Sequence, residues 1–195
     1  MVIKMKNLNK TALLVIDLIN AFSPRELYSK TQLPVEQLTV DRRNNINNLL
    51  HWAETNQILT IFINDAHHHE DFKRMNEPVH ALHDTEQSEL MDWVYQPQNS
   101  LIIKKRTYDG TSNPKLIEKL KSNHISKIII IGTSTGACVL RTIKGLMNNG
   151  FHNIFLVENA CADIFPIRHK QCIQLIKDLE KIEVIMANKY IKFKS

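Results

Sequence analysis

The stretch Ile128 to Leu140, IIIIGTSTGACVL, constrains this chain more than any other. A run of four isoleucines reads as a buried strand, Gly132 and Gly136 mark a tight turn after it, and the apolar spacing beyond the turn is helical. A buried strand that turns directly into a helix is half of a βαβ unit, so a parallel sheet is expected. Cys138 falls in the first turn of the predicted helix, where unpaired backbone N–H groups and the positive end of the helix dipole favour a thiolate. A small packing cysteine fits the same position. The partners that the rest of the chain supplies must choose between the two.

The chain repeats the same unit. Thr11 to Leu18 is an apolar run broken only by Asp17, and Ile58 to Asn64 is a second run that ends on Asp65. Ser100 to Ile103 runs into Lys104 and Lys105 as a third strand, Lys127 to Ile131 is the fourth, Asn153 to Val157 the fifth and Val184 to Met186 the sixth. Helices are expected over Asp41 to Asn56, with Ile46, Leu49, Leu50 and Ala53 inward, and from Asn113-Pro114, where Asn113 is the cap. Two more are expected over Gly136 to Asn149, stopped by Gly150, and Ile167 to Glu180, and a short one over Ser88 to Tyr95. The predicted fold is a three-layer α/β/α sandwich around a central, mostly parallel six-stranded sheet.

Ligands of such sheets bind beyond the carboxyl ends of the strands. Asp17, Asp65, Lys105 and Cys138 all fall at those ends. Cys138 as nucleophile, Asp17 as its proton acceptor and Lys105 as the charge that holds Asp17 ionised form a self-consistent set. The long polar loop from Glu70 to Asp84, with Pro78, His80 and His83, is of a length usually associated with function.

Length and composition set the outer bounds. The 195 residues suit one domain spanning 1–195, and 43% hydrophobic with 23% charged residues excludes disordered and collagen-like classes. Met1 to Lys10 lacks the long apolar core of a secretory leader, and no apolar run reaches the roughly 18 residues of a membrane span. Three cysteines, Cys138, Cys161 and Cys172, without CxxC spacing give neither a disulfide framework nor a thiolate zinc site. Free thiols fit a cytoplasmic protein. The net charge of +5 comes from scattered lysines, with Lys104-Lys105-Arg106 the densest cluster, so neither a nucleic-acid nor a membrane partner is expected.

The letters around these residues resemble the isochorismatase-like cysteine hydrolases, which include the nicotinamidases. The resemblance runs from about Thr11 to Met186 and rests on TALLVIDLINAF, KRTYDG and, most specifically, GTSTGACV. It implies Asp17, Lys105 and Cys138 as the catalytic triad, and a cis peptide between Thr133 and Ser134 that aims the amides of Ser134 and Cys138 as an oxyanion hole. It puts Phe22 and Tyr108 near the substrate pocket. In NDAHHHEDFKRMNEPVH it implies Asp65, His67 and His80 as ligands of one divalent metal, zinc or manganese or iron, although family members also keep such residues for hydrogen bonding without a metal. His68 and His69 are read as solvent-exposed.

Two departures bear on the substrate. Asn20-Ala21-Phe22 stands where nicotinamidases usually have Asp-Phe after the asparagine, and Glu77 precedes Pro78 where a tryptophan is common. The true isochorismatases replace the cysteine that this chain keeps. The resemblance thus implies a cysteine hydrolase of a small carboxamide, without an organic cofactor, assembled as a homodimer or homotetramer. Carbamates, imides and isochorismate-like compounds are the alternative substrates. A non-catalytic binding member and a nucleotide-binding protein are more distant alternatives; Gly132, Gly136 and Glu158 outline a dinucleotide turn, but its middle glycine is missing, and Ala137 stands where a P-loop needs lysine.

Overall fold

The computed structural model describes residues 10–75, 77–179 and 182–190. Six strands form one sheet: β1 (Thr11–Ile16), β2 (Leu59–Asp65), β3 (Leu101–Lys105), β4 (Lys127–Gly132), β5 (Ile154–Cys161) and β6 (Ile182–Ile185). Their order is β3-β2-β1-β4-β5-β6, and every pairing is parallel. The expected "mostly parallel" sheet is therefore wholly parallel among the described residues. Its central strands β1 and β4 are buried almost throughout because both faces are covered.

Alternate residues of each strand serve the two faces. Leu13, Val15, Phe62, Ile129 and Ile131 meet Ile46, Leu49, Leu50 and Ala53 of α1 (Val40–Thr55) on one side. Leu14, Ile16, Ile63, Ile128 and Ile130 meet the other three helices on the opposite side. These are α2 (Pro114–Ser122), α3 (Leu140–Asn148) and α4 (Pro166–Lys177). The result is the expected three-layer sandwich. As expected, Asn113 caps α2, its side chain accepting from Lys115 N–H, and Gly150 follows α3 at φ +88°.

Three differences from the sequence reading have local causes. No helix forms over Ser88 to Tyr95: a 3-10 turn at Glu86–Ser88 is followed by extended chain, because Met91 N–H donates to the Leu18 carbonyl and Leu90 bridges Ile19. Tertiary pairing, with Met91 buried, overrides the local pattern. Strand β5 continues to Cys161 past a register shift opposite Ile130 and Gly132. The segment expected to open the fourth-strand helix is a π-turn, Thr135–Val139, before α3 begins. The Met1 to Lys10 stretch, the predicted helix end at Glu180 and the basic tail after Lys189 lie wholly or partly outside the described residues.

Candidate active site

The strand order reverses between β1 and β4, and the crevice this opens at their carboxyl ends is where the predicted residues gather. Gly132 sits at φ +123°, and a Cβ there would fall 2.0 Å from the Ile16 carbonyl oxygen, so the two strand ends approach as closely as backbones can. Asp17 takes φ +48° immediately after β1. Its carbonyl accepts from Thr133 Oγ1 at 2.9 Å, and its Oδ1 accepts from Asp65 N–H at 2.7 Å. Three strand ends are thus tied together at Asp17, one through its backbone carbonyl and one through its carboxylate.

Lys105, fully buried, lies with its Nζ 2.9 Å from Asp17 Oδ2 and in direct contact with Asp65 Oδ1. The Asp17 carboxyl thus has Lys105 as its ion-pair partner, and Cys138 also lies within hydrogen-bonding reach of it. Cys138 Sγ lies 3.9 Å from Asp65 Oδ2, and one ligand atom each from Asp17, Asp65 and Cys138 lie within 4.8 Å of one another. Burial, then the charge of Asp65, raise the Asp17 carboxyl to about 6 despite Lys105. Burial pushes Asp65 up as well, but Lys105 and His67 outweigh it and hold that carboxyl at about 2. Two adjacent carboxylates are thereby set apart, Asp65 firmly ionised and Asp17 titrating near neutral pH. Burial also raises the Cys138 thiol well above its ordinary value, and Lys105 does not offset it. The expected thiolate bias of the helix start is overridden, and the thiol needs a base.

The peptide between Thr133 and Ser134 is cis. Ser134 N–H has no acceptor among the described residues, and Ser134 Oγ is buried without a partner. The π-turn that carries Cys138 is braced by residues that no sequence motif singles out. Asp163, buried, accepts from Gly136 N–H at 2.7 Å and from Arg168 Nε at 2.7 Å. Thr135 Oγ1 lies 2.9 Å from His169 Nδ1 and donates to the Ala162 carbonyl at 3.0 Å. Asp163 lies beyond the predicted end of β5, so only the extended strand brings it here. Its place just ahead of Pro166, the first residue of α4, was the available signal.

Asp65, His67 and His80 converge as well: their ligand atoms lie within 4.8 Å of one another and all three residues are buried. The loop brings His80 back because His67 N–H donates to the Ala81 carbonyl at 2.9 Å. His67 Nε2 lies 3.5 Å from Asp65 Oδ1 and neither of its ring nitrogens makes a well-formed hydrogen bond, while His80 holds Nδ1 2.7 Å from the Pro78 carbonyl, which leaves its Nε2 with a free lone pair. Orphaned buried imidazole nitrogens with a backbone-anchored tautomer fit a divalent cation. Phe22 packs edge-on against His80 at 5.5 Å, and Phe72, overlooked in the sequence, packs against both His67 and His80 at 5.3 and 5.4 Å. Tyr108 is half-buried near Glu77 and Cys138, and it borders a cavity of about 610 Å³ lined also by Asp71, Arg74 and Arg106. His68 and His69 are exposed.

The family model for the isochorismatase domain matches residues 11–187. The chain belongs to the isochorismatase family. As a member of that family it is a hydrolase, and solved structures agree with its fold. An isochorismatase-like hydrolase from Alkaliphilus metalliredigens superposes with a TM-score of 0.82 at 22% identity, over 93% of this chain and 97% of its own. A pyrazinamidase of Pyrococcus horikoshii in complex with zinc gives 0.77 at 22% over 91% and 99%. N-carbamoylsarcosine amidase from Thermoplasma acidophilum gives 0.79 at 19% over 95% and 99%. No curated protein matches the sequence significantly. Among the described residues of this isochorismatase-family hydrolase, no helix is long and apolar enough to cross a membrane.

Proposed function

We propose that this hydrolase is a cysteine amidohydrolase that releases ammonia from a small carboxamide. The observation that carries the reading is the Asp17 carboxyl, buried, paired with Lys105 at 2.9 Å and with a carboxylate oxygen within 4.8 Å of the Cys138 thiol. Asp17 takes the thiol proton as Sγ bonds to the carbonyl carbon. The Ser134 and Cys138 amides receive the oxyanion, and losing one such donor typically costs on the order of a hundredfold in rate. Asp17 then returns the proton to nitrogen, the C–N bond breaks, and ammonia leaves. A water that gives its proton to Asp17 cleaves the thioester, and that proton restores the thiol. Lys105 keeps Asp17 able to ionise in a buried setting and balances the charge as the proton moves.

Asp65, His67 and His80 are the residues that would hold a metal ion, and a bound ion supplies Lewis-acid polarisation of a substrate atom. A zinc-bound pyrazinamidase and an N-carbamoyl amidase among the structural neighbours are compatible with amide and with carbamoyl substrates. A panel of carboxamides and N-carbamoyl compounds assayed for ammonia therefore tests the reading. Release that disappears in Cys138→Ala is expected; turnover retained by that variant would sink the mechanism. Assembly as a dimer or tetramer, expected on family grounds, is read by light scattering.

A further inference from the structure

Glu77 is a carboxylate that the chemistry above leaves unused. It stands directly ahead of Pro78 in the loop between β2 and β3, its side chain only 30% exposed, with Oε2 3.9 Å from His80 Nε2 and the carboxylate beside the Tyr108 hydroxyl. Its acidic neighbours have cations: Glu70 and Asp71 share Arg106, and Asp84 has Lys104. Glu77 has no lysine or arginine within ion-pair distance among the described residues. Nor does it join the Asp65, His67 and His80 cluster, whose ligand atoms close to within 4.8 Å. It therefore stands outside that coordination set, hydrogen-bonded to the Tyr108 hydroxyl, which itself lies within electrostatic reach of Cys138.

A largely covered carboxylate without a counter-charge is unfavourable unless something bound supplies one. We propose that Glu77 determines substrate specificity by accepting a hydrogen bond from a protonated nitrogen of the substrate, so that the preferred substrate is a small amide carrying a positive charge. Lys73 and Arg74 line the outer cavity, but both are exposed, where solvent and salt screen them. Glu77 is instead partly covered, and its carboxylate lies beside the Tyr108 hydroxyl and His80. Charge-assisted hydrogen bonds of this kind are the stronger class, and the amine must leave water to form one. The inference rests on the amidase reading of Cys138.

The test compares near-isosteric pairs, glycinamide with propionamide and 3-(aminomethyl)benzamide with 3-ethylbenzamide, on the full-length protein and on Glu77→Gln and Glu77→Lys. The cationic member of at least one pair is expected to have a kcat/KM about tenfold or more higher. Glu77→Gln is expected to erase that ratio, mainly through KM, and Glu77→Lys to invert it. A ratio unchanged within about twofold in Glu77→Gln would overturn the inference, as would a fall in bound metal with the ratio intact, which would assign Glu77 to the ion. Should no probe release ammonia, the amidase reading fails. Calorimetric binding of the same pairs to Cys138→Ala then decides separately: tighter binding of the cation that disappears with Glu77→Gln upholds the role of Glu77, and equal binding refutes it.

Discussion

Replacing Lys105 with methionine removes the cation that two buried carboxylates share while nearly keeping the side chain's shape. At 2.9 Å and an effective dielectric constant of about 20, the Lys105–Asp17 attraction alone is roughly 6 kcal/mol before desolvation is subtracted. Breaking a buried pair from one side typically costs about 3–5 kcal/mol, a large share of a domain's total stability of roughly 5–15. With a urea m-value of about 2 kcal/mol per molar, the unfolding midpoint of chelator-treated protein at pH 8 falls by about 2 M. The pH dependence carries the diagnosis. Lys105 is held well above its ordinary value and stays charged between pH 5 and 8, so the pH dependence in this range comes from Asp17. In the variant Asp17, already at about 6, loses its counter-charge and rises further. A carboxyl raised on folding contributes stability at low pH that is lost as pH climbs through the folded value, so the wild type weakens through about pH 6, the variant weakens further and to higher pH, and the deficit of the variant grows from pH 5 to 8. Adding Asp17→Asn to Lys105→Met should recover part of the loss. A Lys105→Met midpoint equal to wild type at pH 8, or a deficit that does not shrink at pH 5, refutes this account of the site.

Because Asp17 must be ionised to accept the thiol proton, kcat/KM of an accepted substrate should fall as pH drops through about 6; an acid limb near 4 would assign the base elsewhere. Asp163→Ala removes the acceptor of Gly136 N–H and should lower kcat by about tenfold or more with little change in KM, because it loosens the turn that aims Cys138; a change confined to KM would contradict that. Gly132→Ala forces a Cβ into the Ile16 carbonyl and should lower the Tm by about 10 °C or prevent folding, which thermal unfolding reads. Purified protein, metal-supplemented, should hold close to one equivalent of divalent metal that His67→Ala loses; less than about a tenth of an equivalent in wild type counts against the ligand set.

The sheet was largely legible because burial leaves a plain mark: strands covered on both faces must be apolar runs, and β1, β2 and β4 are. The polar residues that end such runs stood out for the same reason, which is how Asp17, Asp65, Lys105 and Cys138 could be grouped. The segment after Ser88 misled because its pattern fits a helix, whereas its partner, Leu18 to Asn20, lies about seventy residues earlier and leaves no local trace. The brace on the nucleophile turn was hidden similarly, since Asp163 and His169 act through contacts with Gly136 and Thr135 that no spacing rule connects.

Sequence by itself determined the alternation of strand and helix, the parallel sheet, and the residue types available at the strand ends, because periodicity and turn chemistry are local properties. Tertiary structure decided what those residues are. Only the approach of β1 to β4 buries Asp17 and raises it to about 6, while Lys105 and His67 hold the neighbouring Asp65 at about 2. Burial likewise turns Cys138 from an expected thiolate into a thiol that needs a base. Electrostatic roles depend on the dielectric and charges within a few ångströms, and those neighbours come from every part of the chain.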